Sequence, residues 1–588
     1  MRKIIVSILI IGMLLSATPI SIGRKAAVYG NILYVGGSGP GNYSSIQSAI
    51  NVASDGDTIY VFDDSSPYYE NLVVIKSINL IGEDRYTTVV NGGGSGDVIY
   101  ISADLVNISG FTIQNSGNIS TNSGIKIYSN YNKISDNNLN SNKYGISLEN
   151  CHGNIISFNN ISDNEINAGF RMSYSNNNII SNNVISSNYY GGINAYNSNN
   201  NLITGNNITN NTNNGGIILG LSSNNIISGN FIGYNHFTGI SISGGGHNTI
   251  SNNEIIFNEW GIVISSNNNT VDNNTVSNND YGINLQQSAS YNTINNNNIS
   301  YSNNVAVGIW LYSDGNTVSG NIITSSDIGV QIADSDDNTI SGNIITNDRE
   351  GLHIASDSSN NIILANIIRN NTGGIFLPAE PSQSNNNQFY HNNLYDNGLN
   401  AFDMCDNIWD SDYPSGGNYW DDYTGKDANH DGIGDTPYNI SGGNNKDHYP
   451  LITPYCEAPP YPPMISGPTS GKPGISYTYN VSSRDPDDDN VYYYVDWGDG
   501  TNTSWLGPYE SGAQANAIHS WGQKGTYMVK VKAKDIHNTE SNWTTLPVTM
   551  PLDLPGSHQS SPTPQTQPST QQSTTTSSTT LLVKTASR

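Results

Sequence analysis

Two stretches of this chain carry residue types at spacings that could do chemistry. The first is Asp427-Ala-Asn429-His-Asp431-Gly432-Ile-Gly-Asp435. Oxygen ligands alternate at 427, 429 and 431, Gly432 permits a sharp turn, and Asp435 follows, the order in which a Ca2+ loop presents its oxygens. Where such a loop places a bidentate glutamate the chain has Tyr438, so a rigid turn held by Asp and Asn side chains is the competing reading. The second stretch, Asp327 to Asp357, holds Asp327, Asp336, Asp337, Arg349 and His353. A glycoside hydrolase needs two carboxyl groups at a set separation across the bond. A polysaccharide lyase or uronate epimerase needs a base near the α-proton and a cation, often Ca2+, to neutralise the sugar carboxylate. These five residues are the candidates for such roles. Against that, Asp336 and Asp337 are adjacent, as on a turn, and a stacked Asp327–Arg349 ion pair among solvated acids accounts for the same residues without catalysis. Ca2+ is the one cofactor these residues suggest.

The elements that position them come from a repeat. From about Asn130 to Asn397 the chain cycles through Asn, an apolar residue, small polar residues, Asn, an apolar residue, and then Gly-Ile-x-apolar, as in "YGISLENCHGNIISFNNISDN" from Tyr144. The phase glycine recurs from Gly124 to Gly374 in steps of 21 to 26, about 23 residues per copy. Apolar residues alternate within a copy, as strands do, and Asn, Ser and Gly separate three such runs. Three short strands and three turns make one coil of a parallel β-helix, with inward Ile, Leu and Val stacked in columns. About 12 regular coils at 4.8 Å spacing give a rod of about 55 to 60 Å. Asn at equivalent turns is expected to form ladders of amide hydrogen bonds. Between the inward residues of the Gly-Ile-x-apolar strand lie outward columns, in which Tyr128, Tyr196, Trp310 and Tyr312 could stack on sugar rings; exposed aromatics also simply suit strands.

Composition bounds the partners. The chain has 588 residues, 22 Lys+Arg against 48 Asp+Glu, a formal charge of −26, and only 12% charged residues. Such a surface lacks the basic stripe that nucleic acid requires and suits neutral polar partners such as glycans and cell-surface components, or cations. The three cysteines, Cys151, Cys405 and Cys456, have no metal spacing. Cys405 could pair with Cys456, leaving Cys151 as a buried thiol.

In chain order, residues 1–24 read as a secretory signal, with basic Arg2 and Lys3 before the apolar run Ile4 to Leu15. That run is too short for an ordinary membrane span, so no span is expected after cleavage; an uncleaved anchor is the alternative. Residues 30–117 should hold an N-terminal cap, with an amphipathic helix over Ser45 to Ala53 and strands from Thr58, and the first coils. Regular coils follow over 118–405, then an aromatic, Gly-rich C-terminal cap with the Asp-rich loop (406–456), a Pro-rich linker (457–468), a β-sandwich (469–551) and a Ser/Thr/Pro-rich tail (552–588).

Three resemblances attach to these residues. "IQSAINVASDGDTIYV" (Ile46 to Val61) is similar to the opening of pectate-lyase-like β-helix proteins. The repeats, with "NIWDSDYPSGGNYWDDYTGKDANHDGIGDTPYNI" (Asn407 to Ile440), resemble the NosD-type β-helix family, the carbohydrate-binding and sugar-hydrolase repeats, and its archaeal surface proteins. "DWGDG" (Asp496 to Gly500) and "HSWGQKGTYMVKVKAKD" (His519 to Asp535) resemble the PKD repeat, an immunoglobulin-like extracellular β-sandwich; Trp497 and Trp521 are then core residues and Asp499 a turn residue. The Asp427 loop resembles an EF-hand-like or dockerin-like loop. Together these imply an all-β protein: a right-handed parallel β-helix, then a PKD sandwich, secreted or displayed on the cell surface. A non-catalytic glycan-binding, adhesion or surface-layer role is one expectation. A polysaccharide lyase, hydrolase or uronate epimerase working in the β-helix groove is the other, and fold analogy alone is a poor warrant for activity. The NosD name also carries a copper association, but His353, His391, His430 and His448 are scattered, with no repeated His or Met pairing.

Overall fold

The computed structural model describes residues 30–119, 121–164, 167–379, 382–455, 459–485, 490–535 and 539–550. The signal sequence expected over 1–24, Cys456 and the tail over 552–588 lie outside these residues. The chain divides into two compact units, Met1–Ala458 and Pro459–Arg588.

The first unit is a parallel β-helix with three sheets. The first sheet has 16 strands, from Ile32–Val35 to Gln388–Tyr390; the second has 16, from Tyr68–Tyr69 to Tyr419–Trp420; the third has 15, from Leu72–Val74 to Ala401–Asp403. Sixteen rungs span about 70 Å, longer than the regular repeat alone implies. The extra rungs lie at both ends, where the Asn-Ile phrase fades but the strand pairing continues: Ile32 already pairs with Thr58, and Leu394 with Trp420. The expected helix is α1 (Ile46–Val52). Ser45 caps it by accepting from Ser48 N, and Glu70 accepts from the backbone N–H groups of Ile46 and Gln47, satisfying orphan donors at the end where a carboxylate is favoured. Its buried face, Ile46, Ala49 and Ile50, closes the end of the apolar core.

Inward Ile, Leu and Val columns fill that core, and Asn lines its corners in three ladders. One runs from Asn132 through Asn154, Asn178 and Asn201 towards Asn407; a second runs from Asn137 through Asn159, Asn183 and Asn206 to Asn418. In each, an Asn Oδ1 accepts from the backbone N and side-chain Nδ2 of the Asn one coil earlier, while its own Nδ2 also reaches a main-chain carbonyl. Asn206 shows the set: its Oδ1 accepts from Asn183 N and Nδ2, and its Nδ2 donates to Ile180 O, Thr204 O and Asn230 Oδ1. The corner backbone groups that no strand can pair are satisfied in this way. The third ladder starts at Asn142 and Asn164, runs to Asn279, and is then interrupted by Ser302, Ser326 and Asp348 before Asn371 resumes it. A serine ladder in the same turns as the first Asn ladder takes in both described cysteines: Cys151 N donates to Ser175 Oγ, and Ser384 N to Cys405 Sγ. Both thiols are free and buried.

The second unit is an antiparallel β-sandwich. Sheets Met464–Ser466, Tyr477–Ser482, Gln514–His519 and Leu506–Tyr509, Val491–Asp496, Gly525–Lys534, Thr544–Met550 enclose Tyr479, Tyr493, Trp497, Trp521, Val529 and Val531. Trp521 Nε1 donates to Trp497 O at 3.1 Å, and Asp499 accepts from Thr501 N while pairing with His519 at 2.8 Å.

Candidate functional site

The outward faces of the first two sheets repeat Ser, Thr, Asn and aliphatic residues coil after coil. The third sheet has the longest solenoid strands, and its outward residues change from coil to coil. Its central outward column reads, in register, Lys126, Ser147, Arg171, Asn194, Ile218, Ser241, Val263, Asn284, Gly308, Gln331, His353, Phe376 and Phe402. One entry departs from the sequence reading. Gly308 is not a phase glycine: it pairs with Asn284 and Gln331 on the outward side, while Val307 and Ile309 point inward. Ala306 takes the phase position, and the irregular steps on either side of Gly308, 26 and then 21 residues, were the trace of this shift.

The shift moves Trp310 into the next column, beside Ala333, and carries Tyr312 off the strand to an exposed left-handed position, φ 63°. Trp310 lies over Gly308, where an added Cβ would come within 2.7 Å of its indole. There it meets Trp260 and Tyr281 edge-on, at 6.1 and 5.8 Å. Trp260 and Tyr281 are in register on successive coils and stack face to face at 4.0 Å. Beneath them Asn284 is fully buried, with both side-chain polar atoms unpartnered, as are the indole N–H groups of Trp260 and Trp310. The sequence reading found Trp310 but missed Trp260 and Tyr281, which sit one residue before the phase glycine, in a column it took as turn.

Two charged clusters flank this aromatic group. On the N-terminal side, Glu149 accepts from Arg171 Nη1 at 2.6 Å and from the Tyr128 hydroxyl, and lies 3.7 Å from Lys126 Nζ. Burial pushes the Glu149 carboxyl up, but Tyr128, Lys126 and Arg171 together hold it below its ordinary range. Burial and Glu149 push the Tyr128 phenol up to about 12, away from what a phenolate base would need. The sequence offers Tyr128 here but hides the cluster, because Lys126 and Arg171 share a column with Ser147 while Glu149 lies in the next. Tyr196, also expected on this face, is half-exposed and meets Tyr174 edge-on at 6.5 Å.

On the C-terminal side the expected Asp327–Arg349 pair forms, at 2.6 Å from Nε and 3.1 Å from Nη2. Arg349 also pairs with Glu350, which holds His353 Nδ1 at 2.5 Å. The guanidinium lowers the Asp327 carboxyl; burial raises Glu350, but His353 and Arg349 outweigh it. Neither carboxyl is therefore tuned as a general acid. Asp336 and Asp337 stand at the opposite end of the third-sheet strand. Asp336 accepts from Ser359 N, and its own N donates to Asp314 Oδ1, a ladder of turn acids; Asp337 occupies a left-handed turn position, φ 57°. The structure does not bring them to Arg349 and His353.

The Asp427 loop is a turn closed on itself. Asp427 accepts from Asp431 N and Gly432 N, Asn429 Nδ2 donates to Asp431 Oδ2, and Asp435 accepts from Ala428 N. Gly432 takes the left-handed conformation, φ 86°, that the turn demands. Among the described residues no three His, Cys, Asp or Glu side chains gather as a metal would require.

These features define a class: a parallel β-helix whose one variable face carries aromatic and charged side chains, joined in one chain to a β-sandwich. A family model described as periplasmic copper-binding protein (NosD) matches residues 50–260 and 234–425, and the PKD domain model matches 464–548. The chain belongs to the NosD family, whose description places it outside the cytoplasm. No curated protein matches it. Among solved structures, the PKD domain of an M14-like peptidase from Thermoplasmatales archaeon SCGC AB-540-F20 is 50% identical, covering 16% of this chain and 99% of that one, TM-score 0.16. The mannuronan C-5 epimerase AlgE4 A-module of Azotobacter vinelandii is 18% identical over 51% of this chain and 89% of that one, TM-score 0.36. The pre-mature bacteriophage phi29 gene product 12 is 14% identical over 64% and 57%, TM-score 0.45.

Copper favours His, Met and Cys, and the residues here do not fit it. His353, His448 and His519 are each held by one carboxylate, His391 contacts Ser415, and the two described cysteines are built into a buried serine ladder. Among the described residues no helix is long and apolar enough to cross a membrane.

Proposed function

We propose that this is a secreted or cell-surface glycan-binding protein whose ligand lies along the outward face of the third sheet. The observation that carries the reading is the Trp260–Tyr281–Trp310 group, three partly buried rings on the one solenoid face that varies. Aromatic rings present large, rigid apolar faces to the C–H side of a sugar. The acidic, Lys-poor surface agrees with a neutral or mixed glycan partner and disagrees with nucleic acid. The Asp427 loop is a turn held by its own Asp and Asn side chains.

A second reading, a polysaccharide lyase, hydrolase or epimerase on the same face, draws on one observation. Asp97, whose carboxyl burial raises, lies close enough to Lys126 and Glu149 to feel their charges, while Glu149 is held low, and carboxyls pushed apart in this way can divide acid and base roles.

The test is a glycan array with the full chain, followed by incubation of each bound polymer with the protein, with and without Ca2+. Binding without change in polymer length or sugar configuration, weakened about tenfold or more in Trp310→Ala, is the expected result. Turnover abolished by Glu149→Gln would replace the binding reading with the enzymatic one.

A further inference from the structure

Next to the N-terminal charged cluster, the third-sheet face opens into a pocket of about 230 Å3 lined by Tyr144, Arg171, Tyr190, Asn194, Tyr196 and Gly220. That is smaller than the roughly 300–1,000 Å3 of sites for drug-sized ligands, and its open, aromatic-walled form suits one sugar ring of a longer chain. Arg171 enters it already oriented. Its Nη1 is fixed on Glu149 at 2.6 Å, with Ser147 Oγ at 3.4 Å, and its guanidinium carbon lies 5.7 Å from the centre of the Tyr144 ring. Neither Nε nor Nη2 of Arg171 has a protein partner among the described residues. Asn194, in register beside Arg171, has a buried Oδ1 that is also unpartnered. A planar fork of free N–H donors matches a carboxylate.

Charge placement along the face sharpens this. From Met172 to Asp348 the sequence contains neither lysine nor arginine. Fixed cations on this face are therefore confined to the coils of Lys126 and Arg171 at one end and of Arg349 at the other, where Arg349 is engaged by both Asp327 and Glu350. The aromatic group between them is neutral. Of the two arginines, Arg171 is the one whose Nε and Nη2 remain open to a ligand.

We infer that this pocket is a carboxylate subsite: the Arg171 fork binds the C6 carboxylate of a uronic acid residue, with Tyr144, Tyr190 and Tyr196 around the ring, so that the glycan read by this face is an acidic polysaccharide. This rests on the glycan-binding reading and adds its chemical class.

The experiment measures binding of the full chain by affinity electrophoresis to polygalacturonate, to the same polymer with its carboxyl groups reduced to alcohols, and to dextran sulfate. Wild-type protein is expected to bind the polyuronate, to bind the reduced polymer at least about tenfold more weakly, and to lose affinity as salt is raised. Arg171→Gln should weaken polyuronate binding about tenfold or more while leaving the reduced polymer unaffected, and Arg171→Lys should recover only part of it, because an ammonium lacks the fork. Tyr190→Ala, at an exposed side chain, should weaken binding several-fold by the loss of one ring contact without touching the fold, so the subsite stays testable even if Arg171 variants are unstable. Equal binding of polyuronate by wild type and Arg171→Gln overturns the assignment. So does preference for dextran sulfate, which would make this a sulfate site. Binding of the reduced polymer alone overturns the subsite and leaves the glycan reading standing; binding to no polymer here or on the array removes both.

Discussion

Asp348 shows how one atom changes the behaviour of a corner. It occupies a rung of the third Asn ladder: its Oδ1 accepts from Ser326 N at 2.6 Å and its own N donates to Asn371 Oδ1. An Asn here would point its Nδ2 at a carbonyl and at the next amide oxygen, as Asn164 does towards Leu139 O and Asn188 Oδ1. Asp348 instead places Oδ2 there, buried and unpartnered. Burial outweighs the Ser326 hydrogen bond and pushes the carboxyl up to about 7. Its folded pKa lies above its unfolded one, so the folded state binds the extra proton. The contribution is complete below about pH 4 and is lost as pH rises to about 7, at up to about 1.4 kcal/mol per pH unit. Asp348→Asn is expected to remove that slope and to be more stable than wild type by a few kcal/mol at pH 8, with little difference at pH 4, in denaturant titrations at both pH values. The sequence showed Asp348 only as one of several acids near Arg349. Its ladder register was hidden because Ser302 and Ser326 stand where the two preceding rungs should show Asn.

At the scale of elements, the ladders satisfy the corners of the coils whose interior the apolar columns fill. Asn206→Ala would strip five hydrogen bonds from a buried corner and orphan Asn183 N, and a buried unsatisfied group costs about 1–3 kcal/mol. A loss of about 3 kcal/mol or more in chemical denaturation is expected. Asn207→Ala, the exposed neighbour, should stay within about 0.5 kcal/mol; equal losses would mean that the ladder bonds add nothing to stability. The strands, the helix Ile46–Val52 and the Asn ladders were legible because each coil repeats the same physics and the copies reinforce one another. The proposed site face was legible only in part, because its side chains vary from coil to coil and do not follow the repeat. Tyr128, Tyr196, Asp327, Arg349 and His353 were found from their columns. Trp260 and Tyr281 were not, since the residue before a phase glycine reads as turn, and Trp310 was set one column off by the Gly308 shift.

For the whole molecule, the same regularity that builds the solenoid leaves one sheet free to vary, the sheet proposed above as a glycan platform. The array identifies a bound glycan, and isothermal titration with it can compare two paired variants. One is Trp260→Ala with Tyr281→Ala, on the third-sheet face. The other is Tyr234→Ala with Phe257→Ala, a stacked pair at 5.0 Å on exposed corners between the second and third sheets, equal in number of rings and away from the face. The account predicts that the first pair loses affinity about tenfold or more and that the second binds as wild type does. Undiminished binding by the first pair, or an equal loss in both, would contradict it.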